Sequence, residues 1–242
     1  MSHRLNVLLL PLIIGAIGCV ETLDDGDAIR GSGEMVTVHE DRKDFDEIEI
    51  GSAFRATITR GDAYAVSIRV DLNVLDHVRV SRIGGTLSIT LDDDHFYRDV
   101  TLEADITAPA LQRLALSGAS SASLVGFHSE DDIEVDLSGA SSAAGDLSAG
   151  DVDCELSGAS TATLTGSAGD LSLHGSGAST ADLGGLVNGD GDIDLSGASS
   201  ATVQATGTID ATLSGASLLE YVGSPTLGDI SVSSGSTLRQ AD

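Results

Sequence analysis

Positive charge is what this chain holds least of. Its 12 lysines and arginines stand against 38 aspartates and glutamates, a formal net charge of -26 over 242 residues. Nucleic-acid binding draws its affinity from Lys and Arg that release counterions from phosphates, so that class is excluded. Tryptophan is absent and aromatic residues reach only 3%, which removes the usual stacking platform for sugars. Helical periodicity is missing except around Asn73-Val-Leu-Asp-His77. The apolar run Leu5 to Ile14 is too short to stay in a bilayer as a spanning helix. Disorder is excluded too, since 41% of residues are apolar and they recur at regular spacing.

The beginning of the chain reads as an address. Arg4, the apolar run and Gly15-Ala16-Ile17-Gly18 before Cys19 predict a signal peptide over residues 1–18. Small residues before a cysteine resemble a bacterial lipoprotein cleavage box, with Ala16 where leucine is commonest. That resemblance implies cleavage before Cys19 and lipidation of the new N-terminus. Val20, in place of the aspartate of an inner-membrane retention signal, favours the outer membrane of a Gram-negative cell envelope. Residues 19–33, acidic and glycine-rich, read as a flexible tether. The expected partner is therefore a membrane, reached through lipidated Cys19, while the acidic surface itself is repelled by anionic lipid.

A repeat organises the second half. Ser-Gly-Ala-Ser begins at Ser117, Ser138, Ser157, Ser176, Ser196 and Ser214, at intervals of 21, 19, 19, 20 and 18 residues, and a looser Ser-Gly-Ser begins at Ser234. Before each motif apolar residues alternate, as in Ile133, Val135, Leu137 and Val152, Cys154, Leu156; after it comes Ala and then an apolar residue, as in Ala162 and Leu164. Period two on both sides of a glycine corner means half-buried strands. A unit of about 20 residues cannot close a core alone, so the copies must stack, each strand pairing with its equivalent one rung away. The fold class is all-β: a β-helix of about six rungs over residues 114–242 with an N-terminal β cap over residues 34–113, or one continuous domain over 34–242. The cap follows from alternating strands such as Glu47-Ile-Glu-Ile50 and Thr86-Leu-Ser-Ile89, broken by turns.

The outward positions of the rungs are acidic: Asp132, Glu134, Asp136; Asp151, Asp153, Glu155; Asp170, Ser172, His174; Asp190, Asp192, Asp194. No Lys or Arg occurs between Leu114 and Leu238, so rungs stacked roughly 4.8 Å apart gather counter-cations along this face. Asp190, Asp192 and Asp194, after a turn at Asn188-Gly189, are the candidate ligands of a weakly held divalent cation, and oxygen-only ligands suit calcium. They match neither the helix–loop–helix calcium loop nor the Gly-Gly-x-Gly-x-Asp nonapeptide. No other cofactor is implied. No catalytic residue is assigned: six equivalent serines are not one activated nucleophile, and a polysaccharide-lyase site lacks its basic residue. His174 reads as a solvated surface residue and His128 as a loop residue beside Glu130, Asp131 and Asp132. Cys154 reads as a buried small hydrophobe, and Tyr221 as a terminal plug of the core.

Gly31-Ser-Gly with Phe45-Asp-Glu-Ile-Glu-Ile-Gly51, Thr86-Leu-Ser-Ile89, the Ser-Gly-Ala-Ser series and the closing Tyr221-Val-Gly-Ser-Pro225 resemble the putative auto-transporter adhesin, head GIN domain family. The resemblance covers about Gly31 to Leu238. It implies a right-handed β-helix-like fold in secreted or lipid-anchored bacterial proteins, and it brings no established activity or catalytic residue. The expected function is a non-enzymatic, lipid-anchored envelope protein acting as an adhesin or surface-interaction module with a protein or cell-surface partner. A periplasm-facing structural or envelope-stress component is the alternative, and a carbohydrate-active β-helix enzyme stands behind both.

Overall fold

The computed structural model describes residues 28–241, so the expected signal peptide, Cys19 and the first part of the tether lie outside the described residues. Each repeat folds as two strands joined at its Ser-Gly-Ala-Ser corner. Ile133–Leu137, Val152–Leu156, Leu171–Gly175, Gly191–Leu195 and Thr208–Leu213 stack in a ten-stranded sheet. Ser142–Ser148, Thr161–Ser167, Thr180–Asn188, Ser200–Ala205 and Leu218–Tyr221 stack in an eleven-stranded one. Among these strands pairing is parallel in both sheets and in register in the ten-stranded one, where Val135, Cys154, Leu173, Ile193 and Ala211 form one column; bulges shift the register in the other. These five are buried, as the alternation requires, and the fold is the expected β-solenoid.

The corner explains the motif. Its glycine takes a left-handed backbone, with φ of 72° at Gly158, 74° at Gly177 and 73° at Gly197. The next N–H donates to the glycine carbonyl one rung back, Ala178 N to Gly158 O at 2.7 Å. The last serine turns into the core, and at Ser160 and Ser199 its hydroxyl is satisfied on backbone: Ser160 Oγ donates to Ser157 O at 2.9 Å, and Ser199 Oγ to Ser196 O at 2.8 Å, whereas the buried hydroxyls of Ser120 and Ser179 have no partner. A buried hydroxyl without such a partner costs about 1–3 kcal/mol, so serine here is structural.

The N-terminal region does more than cover an end. Glu47–Ile50 and Arg55–Arg60 form a rung of their own, cornered at Ser52 and Ala53, both at positive φ. That rung pairs on one side with Arg113–Leu116 and Ser121–His128. On the other it pairs with Thr86–Leu91 and Leu102–Ala108. The chain therefore lays one rung, builds the cap, lays a second rung beneath the first and crosses back to begin the repeats. Parallel stacking ends where Val78–Ile83 pairs antiparallel with Thr86–Leu91, and where Ala65–Asp71 and Met35–Glu40 add antiparallel strands beyond Leu102–Ala108. Reversed strands of this kind end the run of parallel rungs and cap the solenoid core on that end. The expected start of the solenoid near residue 114 is thus not a structural break.

Residues 28–33 of the expected tether pack on the cap. Ala28–Arg30 pairs in parallel with Phe96–Arg98, and the buried carboxylate of Asp71 accepts Gly33 N at 2.6 Å and Thr101 N at 2.8 Å. The weak helical signal near Asn73 is a 3-10 helix, Leu72–His77. Cys154 is fully buried, and burial pushes its thiol up to about 12, leaving it protonated and inert at neutral pH. Tyr221 continues the inward column of Val203 and is partly buried against the core. The last rung, Thr226–Val232, leaves Leu227, Ile230 and Val232 exposed.

Candidate functional site

The acidic residues lie on the outer face of the ten-stranded sheet in three columns. Glu134, Asp153, Ser172, Asp192 and Asp210 form the middle column, and Asp136, Glu155, His174, Asp194 and Thr212 the one nearer the serine corner. A groove of about 870 Å³ runs along the first side of these strands, lined by Glu130 to Glu134, Asp151, Asp153, Asp170, Asp190, Asp192 and Asp210. A second, of about 610 Å³, lies between Asp136, Glu155, His174 and Asp194 and the serine corners. Arg113 closes the N-terminal end: its Nε donates to Asp136 Oδ2 at 2.9 Å, and Glu49 and Glu134 lie 3.4 and 3.5 Å away. The bond to Asp136 raises the guanidinium above its ordinary range, and burial followed by the neighbouring Asp136 charge raises Glu134.

The third column has a role that the sequence reading missed. Asp151 N donates to Asp132 Oδ1, Asp170 N to Asp151 Oδ1 and Asp190 N to Asp170 Oδ1, each at 2.8 Å, and Thr208 N donates to Asp190 Oδ1 at 2.6 Å. Each aspartate thus accepts a backbone N–H of the following rung. The residue before each of these donors is glycine, because a Cβ at Gly169 would lie 2.6 Å from Asp151 Oδ1, and one at Gly189 2.7 Å from Asp170 Oδ1. The Gly-Asp pairs at 150–151, 169–170 and 189–190 were the available signal. These carboxylates are rung-to-rung fasteners as well as surface charge.

Asp190, Asp192 and Asp194 do lie on one strand face, but they do not converge. Alternate strand residues are about 6.6 Å apart, and the three carboxylates do not bring their oxygens within 4.8 Å of one another. Asp190 already spends one oxygen on Thr208 N, and Asp194 lies 3.8 Å from His174 Nε2. Across rungs, neighbours in a column such as Asp192 and Asp210 stand opposite one another on paired strands. CaCl2 is accordingly expected to raise the Tm more than NaCl at equal ionic strength, measured by thermal unfolding. Equal shifts would reduce the face to simple screening. His128, expected in a loop, instead ends the strand Ser121–His128, where it pairs with Ser148 of the next rung and its Nδ1 lies 3.3 Å from Ser148 Oγ; His174 stays exposed.

With this geometry in place, the sequence matches the family described as "Putative auto-transporter adhesin, head GIN domain" over residues 44–225. No curated protein matches it. Among solved structures, a putative adhesin from Bacteroides fragilis is 21% identical with a TM-score of 0.82, covering 88% of this chain and 100% of its own. A putative lipid binding protein from Parabacteroides distasonis is 18% identical with a TM-score of 0.74, covering 89% and 100%. A putative adhesin from Parabacteroides merdae is 17% identical with a TM-score of 0.66, again covering 89% and 100%. At these identities the likeness is one of fold.

Proposed function

We propose, from the premise that this chain belongs to the putative auto-transporter adhesin, head GIN domain family, that it is a non-catalytic interaction module of the bacterial envelope. Lipid on Cys19 holds it to the outer membrane, and its acidic face meets a cationic or cation-bridged partner surface. The observation that carries this reading is the acidic groove itself: carboxylates in register on successive rungs, with no Lys or Arg between Leu114 and Leu238. A field of one sign over several rungs speeds encounter with oppositely charged surfaces and disfavours like-charged ones. The family and two of the similar structures carry the description of adhesins and not of enzymes.

Two measurements test this. Protease applied to intact cells is expected to remove the domain, and protection until permeabilisation would place it in the periplasm and end the adhesin reading. Adhesion of the full-length protein to cell or matrix layers is expected to fall at least about tenfold in the Asp153→Lys, Asp192→Lys double variant, whose changed side chains are exposed. Unchanged adhesion would remove the acidic face from the function.

A further inference from the structure

The cap holds a group of side chains that the acidic face does not use. His77 Nδ1 lies 3.0 Å from Asp92 Oδ2, and His95 Nδ1 lies 3.3 Å from Asp92 Oδ1. One ligand atom from each residue can be chosen so that all lie within 4.8 Å of one another, the only such trio of His, Cys, Asp or Glu among the described residues. The two imidazoles meet edge to face, with centroids 4.6 Å apart. Asp92 is nearly enclosed, with 11% of its side chain exposed, whereas His77 is at 22% and His95 at 40%, so the cluster opens to solvent on the His95 side.

The geometry points to a divalent transition-metal site formed by His77, Asp92 and His95, with zinc the ion it suits best. Zinc bonds of 2.0–2.2 Å in a tetrahedron put neighbouring ligand atoms about 3.3 Å apart, and with the three ligand atoms already within 4.8 Å of one another small side-chain rotations close the site. Two nitrogens and one carboxylate oxygen are a donor set for zinc, nickel, cobalt or copper, and a poor one for calcium or magnesium. Three protein ligands leave a fourth position for water on the open side.

The surroundings already hold the carboxylate in place. Tyr97 OH donates to Asp92 Oδ1 at 2.5 Å and Arg79 Nη2 to Oδ2 at 2.9 Å. An ionised carboxylate offers about four lone-pair sites, so an ion between the rings replaces the two imidazole contacts and leaves the Tyr97 and Arg79 bonds in place. Arg79 is itself fastened by Nη1 to Asp76 O at 2.8 Å and can stay where it is. Its positive charge opposes the ion, and the carboxylates of Asp92 and of Asp94, whose charge reaches Tyr97, offset that. The site would tie the end of the 3-10 helix to the strand Phe96–Arg98, which pairs with Ala28–Arg30 where the described chain begins. Metal there clamps the entry of the chain onto the cap.

The test is zinc titration of untagged, EDTA-stripped full-length protein by calorimetry, with millimolar calcium present to occupy the acidic face. One zinc per chain is expected, and zinc at a hundred times its Kd raises the Tm by about 5–10 °C. His77→Gln and His95→Gln each weaken binding at least about tenfold, while His128→Gln and His174→Gln leave it unchanged. Cobalt(II) added to the unmutated protein should shift the NMR ring signals of His77 and His95, a readout independent of whether the variants fold. No stoichiometric zinc in calcium, binding unchanged in both His77→Gln and His95→Gln, or cobalt shifts at other histidines instead would overturn the site.

Discussion

Gly177→Ala is expected to destabilise the protein by roughly 3–5 kcal/mol, read as a fall in the urea midpoint at unchanged slope. Two costs add. Its φ of 74° lies in the left-handed region, where a Cβ costs about 1–2 kcal/mol. The new Cβ would also stand 2.6 Å from Gly158 O, 3.0 Å from Gly158 N and 3.2 Å from its Cα. Those are backbone atoms of the neighbouring rung, held by the Ala178 N to Gly158 O bond of 2.7 Å, and they cannot swing aside as a side chain would. Gly84→Ala is the control. It shares the positive φ, at 63°, but has nothing within 4 Å of the added carbon, so it should lose only about 1 kcal/mol. Equal losses at the two positions would sink the account of the corner as a close-packed glycine column.

The second large effect belongs to Asp71. Its carboxylate is 2% exposed and accepts one backbone N–H on each oxygen, from Gly33 and Thr101. Asp71→Ala removes two charge-assisted bonds and strands two N–H groups, a loss of about 3 kcal/mol. Because Gly33 follows the strand Ala28–Arg30, the loss should be accompanied by faster proteolysis within residues 28–33. Asp71→Asn keeps one acceptor and turns an N–H toward the other donor, so it should recover only part of the stability. Full wild-type stability in Asp71→Asn would mean that the second bond contributes nothing.

Much of the solenoid was legible because its information is local and repeated. Val152, Cys154 and Leu156 alternate with Asp153 and Glu155 in sequence, and that parity alone decides which side faces the core. The glycine of each Ser-Gly-Ala-Ser motif announced a corner, and the missing Lys and Arg announced an acidic face. The Asp132, Asp151, Asp170 and Asp190 ladder was half legible: the columns were visible, but the use of each carboxylate by the next rung depends on stacking. Asp190, Asp192 and Asp194 looked like one ligand set because sequence spacing ignores the length of a strand.

The chain by itself determined the repeat, the inward and outward faces, the corners and the sign of the surface. Only the tertiary structure decided the order of the rungs and the company of the cap residues. Glu47–Ile50 lies between Arg113–Leu116 and Thr86–Leu91, three segments far apart in sequence, with no motif that marks them as neighbours. His77 meets Asp92 because Val78 pairs with Leu91 across an antiparallel ladder, which brings the flanking residues together. Parity and period are properties of one strand and can be read along the chain. Adjacency between strands is chosen by which whole faces bury best against each other, and no single segment carries it.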